Sequence, residues 1–501
     1  MAVEVVVSDG AAAAEVVAPV KEVSGKAAEA VSPAAVVSKN GSFREESNFL
    51  GDLKGSEKKA LAELRAKVEE AIVEGKLFDD GKVSMKKVVE ENAEEGAVTE
   101  KKEEDQGEEE PKREEAEEGE KAVATEEKLP EAAAAEEKPE EEAAAAVVVD
   151  KDIALWGVPL LPSKGDDATD VVLLKFLRAR DFKAGAAFDM LRKTLHWRRE
   201  WKGFSDGDVG EELPAELANA FYLDGTDREG HPVCYNEIGV FADDAVYKKA
   251  LGTEEGKARF LRWRVRAMES DVAKLDFKPG GVASLLQVTD IKNSPGLAKK
   301  DLRVAMYQVL DLFQDNYPEL VARNILINVP FWYYAFSTLF YPFLTERTKS
   351  KFVVARPSKV TDTLLKYIPI ESIPVKYGGL KRDGDNEFSA EDSEVTELIV
   401  KANSTESIEI EATEGDTTLT WDLTVLGWEV NYKEEFVPSD EGSYSIIVMK
   451  GKKMVSAEEA VRNSFRASEP GKVVLTVENL SNRKKKVLFR HKARSACAKK
   501  C

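Results

Sequence analysis

The stretch NILINVPFWYYAFSTLFYPFLT, residues 324–345, carries no charged side chain. Its 22 residues match the ~20 apolar positions that cross a bilayer. Two prolines, Pro330 and Pro342, fall inside it. A proline in a helix interior costs ~3 kcal/mol or more in water, although lipid tolerates it better. The first third, NILINV, is β-branched and alternates with Asn, which is a strand pattern. No other apolar run could form a second span, and no flanking charge asymmetry organises a topology. The run therefore divides into a buried strand over 325–329, a proline turn, and a helix of about ten residues from Phe331 or Trp332. On that helix Trp332, Phe336, Leu339, Phe340 and Phe343 lie near one face. Two readings fit it: an ordinary core helix, or a cover over an apolar cavity that faces lipid when it moves. Aromatic rings with polar tips favour membrane interfaces.

Working outward, VASLLQVTDI precedes this run as a strand and KFVVARP follows it as another. The helix KARFLRWRVRAMESDVAKL buries Leu261, Val265, Met268, Val272 and Leu275 on one stripe. A further helix covers about 301–317. Strands separated by helices indicate an α/β domain with a largely parallel sheet. Upstream, DVVLLKFLRARDF and TLHWRREW form a small helical subdomain, with Asp170 as a candidate N-cap. From about residue 387 short alternating runs such as ESIEIEA, TLTWDLTVLGWEV and KVVLTVEN indicate an all-β sandwich.

The chain of 501 residues carries a formal net charge of −21, which disfavours nucleic acid as a partner. That charge is uneven. Residues 1–148 are rich in Glu, Ala and Lys, and this composition predicts a disordered acidic arm. Within it, Leu61, Leu64, Val68, Ala71 and Ile72 follow a 3.6-residue period, which predicts a transient amphipathic helix. Glu4 and Asp9 interrupt the apolar N-terminus, which argues against a signal peptide and for a cytoplasmic chain. Cys234, Cys497 and Cys501 are too few for a disulfide framework. His196, His231 and His491 have no metal-ligand spacing. No G-x-S-x-G elbow or phosphate-cradling G-x-x-x-x-G-K occurs, so an enzyme reading has nothing to attach to, and no cofactor is implied.

The C-terminal run SNRKKKVLFRHKARSACAKK includes Lys484, Lys485, Lys486, Arg490, Lys492 and Arg494. It reads either as an edge strand protected by lysines or as a membrane-facing basic surface, worth ~1 kcal/mol per basic residue near an anionic leaflet. An acidic arm would be repelled from that same leaflet, which points to self-inhibition by the arm.

LLKFLRARDF, TLHWRREW, DREGHPVCYNEIG, TDIKN, the run from YPELVARN to KSKF, and IPVKYGGL resemble, in order, the CRAL-TRIO lipid-binding family. The resemblance covers roughly residues 150–382. A GOLD-like sandwich behind it resembles the plant patellins. It implies a helical N-terminal subdomain over 149–222, an α/β lipid-binding domain over 223–384 and a GOLD-like β-sandwich over 385–495. It also implies one bound lipid in a cavity closed by a gate helix at about 332–343. By this resemblance Glu319 and Lys351 handle an inositol phosphate headgroup; a carboxylate accepts ring hydroxyls and an ammonium attracts phosphate. Where some members carry small hydroxyl residues for phosphatidylcholine, this chain has Leu285 and Gln287. Phosphoinositide binding or sensing is favoured over two-lipid exchange. The implied setting is a non-enzymatic peripheral membrane protein of membrane trafficking and cell-plate formation, with phosphoinositide-containing membranes as partners. The alternative is a trafficking adaptor that acts through protein contacts of the GOLD-like domain.

Overall fold

The computed structural model describes residues 4–5, 45–78, 152–163, 167–201, 214–295, 298–330, 346–388, 394–455 and 458–495. The candidate gate helix lies outside these residues, as do Cys497, Cys501 and most of the acidic arm. By contacts the chain forms one unit from Met1–Glu70 and Asp152–Cys501, and a second over Ala71–Lys151. Of the second, residues 71–78 are described, as the end of a helix and a turn in which Gly75 takes a φ of +69°.

The first helix, α1 (Gly55–Val73), corrects one expectation. Residues 45–70 belong to the folded unit rather than to a disordered arm ending at 148. The Glu57 carboxylate accepts the Lys54 backbone N–H at 2.9 Å, as in a capping box, and so starts the helix. Leu61, Leu64 and Val68 are buried. Arg65 Nη1 reaches Asp170 Oδ2 at 2.7 Å, on α2 (Asp167–Ala179). Composition averaged over the acidic run hides this helix, because its partners lie more than a hundred residues away. Asp170 is accordingly inside the first turn of α2, not its cap. A turn with Asp181 and Phe182 both at positive φ leads to α3 (Ala184–Glu200).

The α/β sheet contains β1 (Phe221–Thr226), β2 (Pro232–Glu237), β3 (Leu285–Asp290), β4 (Val321–Ile327) and β5 (Phe352–Val354). The longer helices between them are α4 (Asp244–Leu251), α5 (Glu254–Val272) and α6 (Lys300–Asn316). Strands β5, β4, β3 and β2 run parallel in that order, β1 closes one edge antiparallel, and Glu4–Val5 pairs with the other. Successive strand residues face opposite sides. Val233, Tyr235, Leu286, Val288, Ile325, Ile327 and Val353 join Val360, Leu364, Ile368 and Tyr377 in one core. Phe221, Phe241, Phe260, Leu302 and Val309 form another. Strand β4 begins four residues earlier than the sequence pattern predicts, because Val321 and Arg323 already pair with β3. It ends at Ile327 because Asn328 turns to φ +55°, held by Asn328 Nδ2 to Asp290 Oδ1 at 2.8 Å, and Pro330 follows.

The segment VKYGGL closes the domain. Gly378 has a φ of +81°, and a Cβ on Gly379 would lie 1.9 Å from the Ile373 carbonyl oxygen. Only glycine fits there.

The C-terminal domain is the expected sandwich. Its strands are β6 (Thr396–Val400), β7 (Ser404–Ala412), β8 (Thr417–Val425), β9 (Val430–Pro438), β10 (Ile446–Met454), β11 (Val461–Ala467), β12 (Gly471–Asn479) and β13 (Lys485–Ser495). One sheet has the order β7-β12-β9-β10 and the other β11-β8-β13-β6, all antiparallel. Trp421, Leu423, Tyr432, Leu475 and Val477 fill the space between them. The buried Glu434 carboxylate is satisfied by Trp421 Nε1 at 3.0 Å, Tyr432 Oη at 2.8 Å and Asn463 Nδ2 at 2.7 Å.

Candidate functional site

Lys175 and Arg178 lie three residues apart on α2 and so share a face. Lys175 is 1% exposed, and its Nζ donates to the Glu319 carbonyl oxygen at 2.8 Å. Glu319 sits just before β4 at a φ of +57°, a region that non-glycine residues seldom occupy. Its carboxylate accepts from Lys351 Nζ at 2.8 Å and from Arg347 Nε at 2.6 Å. Lys351 Nζ also donates to the Val321 carbonyl at 2.8 Å. Lys351 and Arg347 thus hold the Glu319 carboxylate, Lys175 holds its backbone carbonyl, and Arg178 stands one turn along α2 from Lys175.

Residues 45–48 run across this cluster. Glu45 Oε1 accepts from Ser284 Oγ at 2.6 Å, and Glu45 Oε2 meets His231 Nε2 at 2.7 Å. His231 Nδ1 meets Asp227 Oδ2 at 2.9 Å. Glu46 pairs with Arg347, and its Oε2 lies 3.2 Å from Arg178 Nε. Arg178 Nη2 donates to the Ser47 carbonyl, and Nη1 donates to Asn48 Oδ1 at 3.0 Å.

The charges alter one another. Burial pushes the Lys175 ammonium down to about 8, against the opposing pull of the Glu45 carboxylate. Burial alone would raise Glu45, but the hydrogen bonds from His231 and Ser284 and the charge of Lys175 bring it down to about 2. Burial would lower His231, yet its hydrogen bonds to Asp227 and Glu45 hold it at about 9. Glu319 is likewise lowered, because Lys351 and Arg347 outweigh its burial.

The structure brings together the two headgroup residues the resemblance implies, Glu319 and Lys351, as a buried ion pair. Trp332, Phe336, Leu339, Phe340 and Phe343 lie outside the described residues. The basic C-terminal surface requires correction. Strand β13 is not an edge: it lies between β8 and β6. Arg490 is 4% exposed, because its register sets it beside Asp422 on the outer face of its sheet, which Leu380, Asp385 and Phe388 cover. Lys492 sits 3.6 Å from Glu387 and 4.8 Å from the Phe388 ring centroid. Lys485 lies 3.9 Å from Glu429, and Lys486 pairs with Glu397 at 2.8 Å. Lys484 and Arg494 remain exposed, Arg494 with Glu387 at 3.5 Å.

Lys175, Arg178, Arg347, His231, Glu45 and Glu46 escaped the sequence reading. One signal was available: Lys175 interrupts the apolar run VVLLKFL at a helical position that must be buried. Among the described residues no three His, Cys, Asp or Glu side chains could hold a metal ion, and no helix is long and apolar enough to cross a membrane.

Comparison with known proteins adds three family matches. A model described as CRAL/TRIO, N-terminal domain, covers residues 60–193, one for the CRAL/TRIO domain covers 218–379, and one for the Patellin-1-like C-terminal GOLD domain covers 401–486. The first begins inside α1, in agreement with the packing of that helix. The chain is 53% identical to Patellin-4 of Arabidopsis thaliana, over 92% of this chain and 91% of that protein. It is 49% identical to Patellin-6 of the same plant, over 67% of this chain and 81% of that protein. It is 31% identical to the SEC14 cytosolic factor of Eremothecium gossypii, over 43% of this chain and 69% of that protein.

Proposed function

We propose, because this chain belongs to the patellin family of CRAL-TRIO and GOLD proteins, that its cationic cluster receives the phosphorylated headgroup of an inositol lipid. The family is one of lipid-binding and lipid-transfer proteins, and lipids and membranes are its partners. The observation that carries the headgroup reading is the buried Lys175 beside Arg178, Arg347 and Lys351. Buried cations need compensating anions, here Glu45, Glu46 and Glu319, so an anionic headgroup enters in exchange for some of them. Two guanidinium groups can grip phosphate oxygens in pairs, and two ammonium groups add point charges. Glu319 supplies the acceptor for ring hydroxyls.

Binding of the full chain to phosphatidylcholine vesicles, with and without phosphatidylinositol 4-phosphate, tests this. Lys351→Ala with Glu319→Ala abolishes the preference for the phosphoinositide vesicles. Retained preference would move recognition elsewhere on the chain, with the exposed Lys484 as a first place to look. The lipid so bound serves a peripheral membrane role in trafficking and cell-plate formation, on the cytoplasmic side. An adaptor role through the GOLD domain has its own observation. Tyr444 is 92% exposed, and Ile446 and Ile447 are exposed on β10, the outermost strand of its sheet.

A further inference from the structure

We infer that residues 45–48 are an intramolecular occupant of the cationic cluster, and that the ligand displacing them is a phosphorylated inositol carrying at least two negative charges. This rests on the headgroup reading above and adds its regulation and its charge requirement.

The segment presents acceptors to the cluster's donors. The carboxylates of Glu45 and Glu46 are consecutive in sequence but serve different cations. Glu45 meets His231 and Ser284 and compensates Lys175, while Glu46 bridges Arg178 and Arg347. The Ser47 carbonyl and Asn48 Oδ1 take two more Arg178 donors. A phosphorylated inositol offers the same chemistry: anionic oxygens on one side and hydroxyl oxygens around them.

Charge decides which phosphorylated inositol fits. With residues 45–48 in place, Glu319, Asp227, Glu45 and Glu46 face Lys175, Arg178, Arg347, Lys351 and protonated His231. With the segment lifted, Arg178, Arg347 and Lys351 face Glu319 without Glu46, while Lys175 and His231 lose the Glu45 charge that favours their protonated forms. A phosphodiester restores one negative charge. A monoester adds roughly 1.5 to 2 more, so the monophosphate covers the two charges that the glutamates withdraw and the diester alone does not. Phosphatidylinositol monophosphate is therefore a better competitor than phosphatidylinositol. Because only the open fraction binds ligand, the docked segment raises the apparent Kd in proportion to its occupancy.

The test uses the full chain and the variant Glu45→Gln with Glu46→Gln. Glutamine keeps an acceptor for His231 and Ser284 while removing the charge. Binding is measured to phosphatidylcholine vesicles containing phosphatidylinositol 4-phosphate, to vesicles containing phosphatidylinositol, and to soluble inositol 1,4-bisphosphate. The variant binds the phosphatidylinositol 4-phosphate vesicles about tenfold or more tighter than the parent, with a smaller gain for phosphatidylinositol. An equal gain for the soluble bisphosphate identifies a free inositol phosphate as sufficient; a gain confined to vesicles identifies the lipid-borne headgroup. Unchanged or weaker binding by a folded variant overturns the inference. Lys351→Ala in both backgrounds separates the two levels. Binding that depends on Lys351 but ignores Glu45 and Glu46 sinks the occupant alone, and binding indifferent to Lys351 sinks the headgroup reading.

Discussion

Arg490 and Asp422 stand opposite each other on neighbouring strands of the sandwich, and Arg490 Nε donates to Asp422 Oδ2 at 2.9 Å with both side chains buried. The pair extends beyond its own domain. Arg490 Nη2 reaches the Leu380 carbonyl at 3.2 Å, and Arg462 bridges Asp422 and Asp385 at 2.6 and 2.7 Å. The GOLD domain is thus held to the end of the CRAL-TRIO domain by charges taken from a run that looked solvated in sequence.

Removing Arg490 leaves a buried carboxylate with fewer partners. Breaking a buried pair from one side costs ~3–5 kcal/mol. Arg462 still pairs with Asp422, so Arg490→Ala falls near the lower end. Chemical denaturation measures it. A loss under about 0.5 kcal/mol, the ordinary range for a surface substitution, would contradict the buried assignment.

The helix α1 belongs to the folded unit through Leu64, which has no exposed surface. Leu64→Ala is expected to cost ~2–5 kcal/mol. The loss appears in the main cooperative transition of the α/β domain. A neutral substitution would return this helix to the acidic arm.

His231 gives stability a pH dependence. Its pKa is raised from 6.5 to about 9, so its stabilising contribution is complete below pH 6.5 and fades as pH rises toward 9. Glu45 is lowered from 4.5 to about 2, so its contribution is complete above pH 4.5 and fades as pH falls toward 2. Between 6.5 and about 8 stability declines by at most about 1.4 kcal/mol per pH unit for one proton, and above 8 the lowered Lys175 acts in the opposite direction. His231→Gln flattens that slope in denaturation curves taken across the range. A slope that survives the substitution belongs to another group.

Gly379 tests the closing turn. A methyl group there would overlap the Ile373 carbonyl, which is backbone and cannot rotate away. Gly379→Ala costs ~3 kcal/mol or more, at or beyond the upper end for overpacking. Thermal unfolding reads it directly, and an unchanged Tm would mean the turn relaxes.

Much of the architecture was legible because periodicity is local. The strand around Ile325 and Ile327 shows in its alternation, and the helix around Val265 and Met268 shows in its stripe. Glu319 and Lys351 came from motif resemblance, and the structure joins them. What was not legible depends on register and distance. Arg490 looks like its exposed neighbours until strand pairing sets it opposite Asp422. Glu45 and Glu46 look like two more acidic residues until His231, Arg178 and Arg347 arrive from segments more than a hundred residues downstream.

The packing of α1 also changes what the acidic run is. Arg65 on one side of it and Asp170 on the other are bonded to each other, so the run begins and ends within one helical subdomain. It is an insertion with two anchored ends, not a leader. A truncation from residue 1 that removes the whole run therefore also removes α1 and the partner of Asp170, so it is a cut into the folded unit as well.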